Sequence, residues 1–252
     1  MAGGGKVSET LLEVRNLSKH FGAVQALNDL SMTVSAGEVV ALAGDNGAGK
    51  TTLIKAISGV YKPSSGDILL RGEVVHFASP QEARERGIET IYQDLALADN
   101  LSIGANIFLG REPMRKAFGF IPVLDRKKMA EAARSTMALL DFHVSRMDAP
   151  VANFSGGQRQ AVAIGRAVYW NAQILIMDEP TAALGVPEQR KVISLIHQLK
   201  AQGRGVIFIS HNLLDIFAVS DRIVVLRRGV QAGERRIADT THDEVVKLMV
   251  GG

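Results

Sequence analysis

The chain has 252 residues, 46% hydrophobic and 22% charged, enough for a sizeable core in one large domain or two small lobes. Its formal net charge of +3 is too weak and too scattered to imply nucleic acid, short runs such as Arg126-Lys127-Lys128 and Arg227-Arg228 reading as solvated surface. With no cysteine there is neither a disulfide framework nor a thiolate metal site, and no run reaches the roughly 18–20 apolar residues of a membrane span. Residues 1–10 lack the apolar core of a signal peptide and are expected as a disordered tail, so the chain is expected to be soluble by itself in a reducing cytosol.

In chain order, residues 11–43 read as β-rich: Leu30, Met32 and Val34 alternate, Ser35-Ala36-Gly37-Glu38 is a turn, and Val39–Ala43 is an apolar strand. By spacing alone, Phe21 in His20-Phe21-Gly22 is a core residue. After Ala43 comes Gly44-Asp45-Asn46-Gly47-Ala48-Gly49-Lys50-Thr51-Thr52, followed by the helix-compatible Leu53-Ile54-Lys55-Ala56-Ile57. Strand, glycine turn and helix with the spacing G-x-x-x-x-G-K-[ST] point to a phosphate cradle. Three glycines let the backbone curl so that successive N–H groups face phosphate oxygens, and a helix starting at Lys50 adds its positive end. Lys50 can reach β- and γ-phosphates, and the Thr51 hydroxyl can ligate magnesium.

Pro63-Ser64-Ser65-Gly66 punctuates the chain, and Ile68–Phe77, broken by Arg71-Gly72, reads as a hairpin. Ser79-Pro80-Gln81-Glu82 opens a short helix that Gly87 closes, and Ile88–Tyr92 is a strand ending at Gln93. Further on, Asp125 caps a helix with Met129, Ala133, Met137 and Leu140 recurring at helical spacing and Ala132, Thr136 and Leu139 beside them. Ser155 caps another, which carries Ala161, Val162, Ile164 and Val168. The uninterrupted apolar run Ile174–Met177 fits the centre of a parallel sheet, and its end, Asp178-Glu179, emerges on the edge where the glycine loop emerges. Pro187 starts a helix with Val192, Leu195, Ile196 and Leu199 on one face and Gly203 at its end. Val206–Ile209, ending at Ser210-His211, and Ile223–Leu226 are further buried strands, and Thr241 with Glu244 caps a last helix.

Together these residues resemble the ATP-binding subunit of an ABC transporter, over about residues 11–250. The most specific piece is Ser155-Gly156-Gly157-Gln158 between a Walker A loop and a Walker B strand. The resemblance implies an α/β P-loop NTPase core with a mainly parallel sheet flanked by helices, an N-terminal antiparallel β subdomain, and a helical subdomain inserted at about 95–170, residues 11–252 forming a single domain. It implies ATP and Mg2+, with Phe21 stacking on adenine and Gly44, Asp45, Asn46, Gly47, Ala48, Gly49, Lys50, Thr51 and Thr52 holding the triphosphate. Gln93 would ligate magnesium and water and sense the membrane partner; Asp178 would hold magnesium through water beside Thr51. Glu179 would be the base for the attacking water, and His211 would bond the γ-phosphate and position Glu179. Ser155, Gly156, Gly157 and Gln158 would act on ATP held by a second copy, in a head-to-tail dimer. Two positions depart from the pattern: Phe154 replaces a leucine, and Gly185 ends Ala182-Ala183-Leu184-Gly185 where an aspartate is usual.

Within the family, Val60-Tyr61-Lys62-Pro63, Asn106–Glu112 and Ser210-His211-Asn212-Leu213 are similar to the monosaccharide importer branch, in the single-cassette arrangement of fructose- and ribose-type systems. The expected partners are integral membrane permease subunits and, indirectly, a secreted sugar-binding protein, with the chain peripheral on the cytoplasmic face and no nucleic acid. The stretch after the last helix is short, so the C-terminal regulatory domain of maltose-type ATPases is not expected. The alternative reading is a soluble ABC-type ATPase not coupled to a permease.

Overall fold

The computed structural model describes residues 9–140, 142, 146–182 and 184–251. The expected tail lies outside the described residues except for Glu9 and Thr10, and Thr10 already opens strand β1 (Thr10–Phe21). β1 turns at Gly22-Ala23 into β2 (Val24–Ser35), and β3 (Val39–Ala43) leads through the glycine loop into helix α1 (Lys50–Ile57). Then follow β4 (Ser65–Leu70), β5 (Glu73–Val75), α2 (Pro80–Glu85) and β6 (Ile88–Ile91). α3 (Ile103–Phe108), a hairpin of β7 (Met114–Ala117) and β8 (Ile121–Leu124), α4 (Arg126–Leu139) and α5 (Gly156–Tyr169) fill the stretch before β9 (Ile174–Asp178). The chain ends with α6 (Val186–Ala201), β10 (Gly205–Ile209), α7 (Leu213–Val219), β11 (Arg222–Arg227), β12 (Val230–Arg236) and α8 (His242–Val250).

A six-stranded sheet in the order β12-β11-β3-β10-β9-β6 is parallel except for β12, which runs antiparallel to β11. Its parallel strands bury both faces, and the two-residue period of a strand sorts their side chains between two cores. Ala41, Leu175, Met177, Phe208 and Val225 face α3 to α8. Leu42, Ile174, Ile176, Ile207 and Val224 face α1 and the antiparallel sheet β2-β1-β4-β5. Each of these side chains is essentially inaccessible, and each one larger than alanine contributes roughly 1.5–3 kcal/mol by leaving water. Arg222 clamps the two sheets, donating from Nη2 to the Thr33 carbonyl at 2.8 Å, from Nε to Glu38 at 3.0 Å and from Nη1 to Glu234 at 2.6 Å.

α4 buries Met129, Ala133, Thr136 and Met137 as their spacing requires, but Leu139 is 58% exposed. The helical rotation that points positions 129, 133 and 137 inward carries position 139 to the solvent side. The β7–β8 hairpin and β12 had no clear strand pattern: β7 is Met-Arg-Lys-Ala, and β12 is mostly charged and polar.

Candidate functional site

The carboxyl ends of β3, β9 and β10 converge on one open cleft of about 1090 Å³. It is lined by the whole loop Gly44–Thr52 together with Phe21, Gln93, Asp178, Glu179 and His211. The sheet thus gathers every cleft residue expected from the sequence, and leaves Ser155–Gln158 elsewhere.

The loop has the backbone only glycine supplies cheaply, with φ of 145° at Gly44, 80° at Gly47 and 108° at Gly49. A Cβ on Gly44 would lie 2.3 Å from the Leu226 carbonyl oxygen, and one on Gly49 2.9 Å from that of Ala26. At Gly47 it would meet nothing within 4 Å, so the loop's outer wall is open while its floor is packed. The turn Arg228-Gly229, between β11 and β12, supports that floor: the Gly229 N–H donates to the Ala48 carbonyl at 2.9 Å. Lys50 donates its ammonium to the loop carbonyls of Gly44 at 2.5 Å and Asp45 at 3.1 Å, which hold the charge over the cradle. Burial pushes the Lys50 pKa down, opposed by Glu179, Asp178 and Asp45.

Asp178 ends β9, and its pKa is pushed up by burial first and by the neighbouring Glu179 second, while Lys50 and Lys55 pull it down. Glu179 follows with φ 52°, a left-handed conformation that costs an L-residue about 1–2 kcal/mol. Its N–H donates to the Ile209 carbonyl at 2.9 Å, locking the end of β9 to the end of β10. That lock places Glu179 Oε2 2.9 Å from Nδ1 of His211, just beyond β10. The Glu179 side chain is 17% exposed and the His211 side chain 80% exposed, so the pair presents its imidazole to the cleft mouth. Two residues on, the Thr181 hydroxyl donates to buried Asp215 at 2.7 Å and anchors this turn to α7.

Phe21, expected in the core from spacing alone, is 42% exposed. It ends β1, where the hairpin leaves the sheet, and its ring packs edge-on against Tyr61 at 5.1 Å with the Lys19 ammonium 5.1 Å from its centre. Tyr61, Lys19, Arg228 and Gly229 are site neighbours that the motifs did not indicate. Only Arg228-Gly229 carried a signal, a turn dipeptide just after the apolar run Ile223–Leu226.

Ser155 caps α5 in a reciprocal box: its Oγ accepts from Gln158 N–H at 3.3 Å, and its N–H donates to Gln158 Oε1 at 2.9 Å. Ser155, Gly157 and Gln158 line a separate hollow with Glu188. A Cβ on Gly156 would meet Leu184 at 2.8 Å, and one on Gly157 would meet Glu188 at 2.8 Å, so Leu184 and the start of α6 are packed directly against this helix end. Gly185 caps α6 without a side chain, Glu188 Oε2 occupying the space beside it; Ala183 lies outside the described residues.

A glycine cradle at the mouth of a parallel sheet, with an acidic strand end facing it, defines a P-loop nucleotide-binding protein. Residues 27–182 match the family model described as "ABC transporter", and the chain belongs to that family. It is 50% identical, over 95% of its length and 93% of the relative's, to the xylose/arabinose import ATP-binding protein XylG of Sulfolobus acidocaldarius. It is 43% identical, over 96% of its length and 95% of the relative's, to the fructose import ATP-binding protein FrcA of Rhizobium meliloti. The ribose import ATP-binding protein RbsA of Chromobacterium violaceum is 44% identical over 94% of this chain, which spans only 46% of that protein. Among solved structures, a nucleotide-free ATP-binding cassette from an ABC transporter superposes with a TM-score of 0.80 at 26% identity, covering 96% of both chains. The ADP conformation of an ABC transporter cassette superposes with a TM-score of 0.79 at 25% identity, covering 96% of this chain and 99% of that one. Among the described residues, no helix is long and apolar enough to cross a membrane.

Proposed function

We propose that the chain binds ATP with Mg2+, hydrolyses it, and so energises import of a monosaccharide through a separate permease. The observation that carries the hydrolytic reading is the Glu179–His211 contact at 2.9 Å in the same cleft as the glycine loop. The loop amides and the N-terminus of α1 bind the phosphates, and Lys50 neutralises charge on the β- and γ-oxygens. Glu179 takes the proton of the attacking water, and His211 holds its carboxylate in place. The donors for magnesium are the Thr51 hydroxyl, the Gln93 amide and the Asp178 carboxylate. These are all oxygen donors with one carboxylate among them, in the cleft of the glycine loop, a set that suits a hard ion that takes few protein ligands and fills its shell with phosphate and water. When bound, the ion supplies charge neutralisation of the transferring phosphoryl group. Catalysis is positioning plus electrostatics.

Two further features support the assembly. Ser155–Gln158 cap a helix whose N-terminus lies outside the chain's own cleft, so a second copy, head to tail, gives that end an ATP to act on. A groove of about 450 Å³ beside buried Glu89, with Arg84, Arg111, Arg166 and Trp170, also takes in Tyr92 and Ala96. Gln93, between these two, lines the nucleotide cleft, so one loop joins both cavities and suits permease docking at the groove. Monosaccharide import is supported by the two relatives matched over nearly their full length; on this reading the chain works at the cytoplasmic membrane face with a secreted binding protein upstream. The test is ATPase activity of the chain reconstituted with its permease and binding protein against pentoses and hexoses. One sugar should stimulate turnover; ATP hydrolysis indifferent to permease and to every sugar would leave the soluble-ATPase alternative.

A further inference from the structure

Between α3 and α4 the chain makes an excursion that the nucleotide cleft does not use. β7 and β8 pair only with each other. Their turn, Ala117-Phe118-Gly119-Phe120, is closed by the Phe120 N–H donating to the Ala117 carbonyl at 3.2 Å. Phe118 has φ 50° and Gly119 φ 82°, the left-handed pair of a type I′ turn. The first of these positions favours Asn, Asp or Gly, because a Cβ with a bulky group is strained there. A phenylalanine holds it, and no packing compensates: Phe118 is 89% exposed and Phe120 76%. Met114, Ile121 and Leu124 are exposed behind them. A lone two-stranded hairpin is marginal in water, and exposed apolar side chains on both of its faces and at its tip mark a contact site.

The surroundings are cationic. Arg115, Lys116, Arg126, Lys127 and Lys128 are all exposed. The flanking carboxylates are engaged with the backbone: Glu112 accepts from the Gly110 N–H and Asp125 from the Lys128 N–H, each at 3.0 Å. Glu131 offsets only Lys127, at 4.0 Å.

We propose that the β7–β8 hairpin is an interfacial anchor for an anionic bilayer. Phe118 and Phe120 seat at the boundary between headgroups and acyl chains, and Arg115, Lys116, Arg126 and Lys128 lie along the lipid phosphates. Convex aromatic rings flanked by long, flexible cations suit a fluid surface that moulds around them, whereas a folded protein partner would be matched by a groove. The tip offers none: a Cβ on Gly119 would meet nothing within 4 Å. Its location agrees with the proposed docking geometry, because Arg111 lines the Glu89 groove three residues before β7 begins. Only that clause rests on the permease reading.

The experiment is vesicle flotation of the purified chain, with no permease present. Equal phosphatidylglycerol and phosphatidylcholine should float the chain at low salt, and phosphatidylcholine alone about tenfold less. Phe118→Asn with Phe120→Ser should reduce binding about tenfold. Asparagine suits the type I′ turn, so thermal unfolding should not fall, and ATP binding should be unchanged. Arg115→Gln with Lys116→Gln should remove much of the salt-sensitive part. Failure of the native chain to float, or flotation indifferent to both variants, overturns the anchor. So does a Phe118/Phe120 variant that floats normally but binds detergent-solubilised permease more weakly, or sediments as a smaller species, since the tip would then be a protein contact.

Discussion

Glu179 sits in a left-handed backbone conformation, tied by its N–H to Ile209 and by its carboxylate to His211. Strain held in place by two such contacts is how a site fixes one geometry of a base. Glu179→Gln keeps the shape and removes the basicity, so ATP affinity should stay within about twofold while turnover falls by roughly 10²–10⁴. Turnover at the native rate in purified complex would remove Glu179 from the chemistry. Asp178 makes a different prediction, on stability. Its folded pKa is raised by burial and by Glu179, so the folded state binds a proton more tightly than the unfolded chain does. Stability therefore falls as pH rises from the ordinary aspartate range through the raised value, and the penalty persists at neutral pH. Without nucleotide, Asp178→Asn should raise the neutral-pH Tm, the gain vanishing below the ordinary aspartate pKa. Differential scanning calorimetry across pH 3–8 (roughly the carboxylate-to-neutral window) checks this.

At the scale of elements, the cradle depends on how closely β3, β11 and the loop approach. Gly44→Ala would drive a methyl into the Leu226 carbonyl at a φ that alanine resists. A loss of about 3 kcal/mol or more in urea unfolding should accompany loss of ATP binding. The cap of α5 gives a cleaner separation. Ser155→Ala removes the acceptor for the Gln158 N–H and should cost roughly 1 kcal/mol of stability. Because Ser155 lies outside the chain's own cleft, ATP affinity of the monomer should not change while ATPase in the assembled complex falls. A drop in monomer affinity would place Ser155 on its own nucleotide.

For the whole molecule, the proposed head-to-tail dimer sets Ser155–Gln158 of one copy against the nucleotide of the other. Lys50→Ala damages the cradle; on that proposal Gly156→Asp would set a carboxylate against the partner's γ-phosphate, and it also crowds Leu184. Each homodimer carries two damaged sites. In a mixed dimer built head to tail, one site receives both lesions and the other neither. One competent ATP site per verified mixed dimer should appear, and up to about half of the native ATPase if the sites act independently. No competent site would mean that Ser155–Gln158 serve their own chain's nucleotide, and the head-to-tail arrangement would fail.

Local chemistry made much of this protein legible from residues alone. Glycines at 44, 47 and 49 before Lys50 admit few backbones other than a phosphate loop, and apolar runs such as Ile174–Met177 admit few places other than the middle of a sheet. The caps Ser79, Asp125, Ser155 and Thr241 stand where their side-chain bonds begin helices, because capping is settled within four residues. What only the tertiary structure decided depends on distance in sequence. Phe21 is exposed because the β1–β2 hairpin overhangs the cleft, which spacing within one strand cannot express. His211 meets Glu179 because β9 and β10 are neighbours in register, Met177 opposite Phe208 and Asp178 opposite Ile209. Gly229 supports the Walker loop from almost the far end of the chain. The β7–β8 hairpin has no core to bury against, so no periodic pattern marks it. Sequence periodicity records where a residue leaves water, and the strand order of the folded sheet records which distant residues meet.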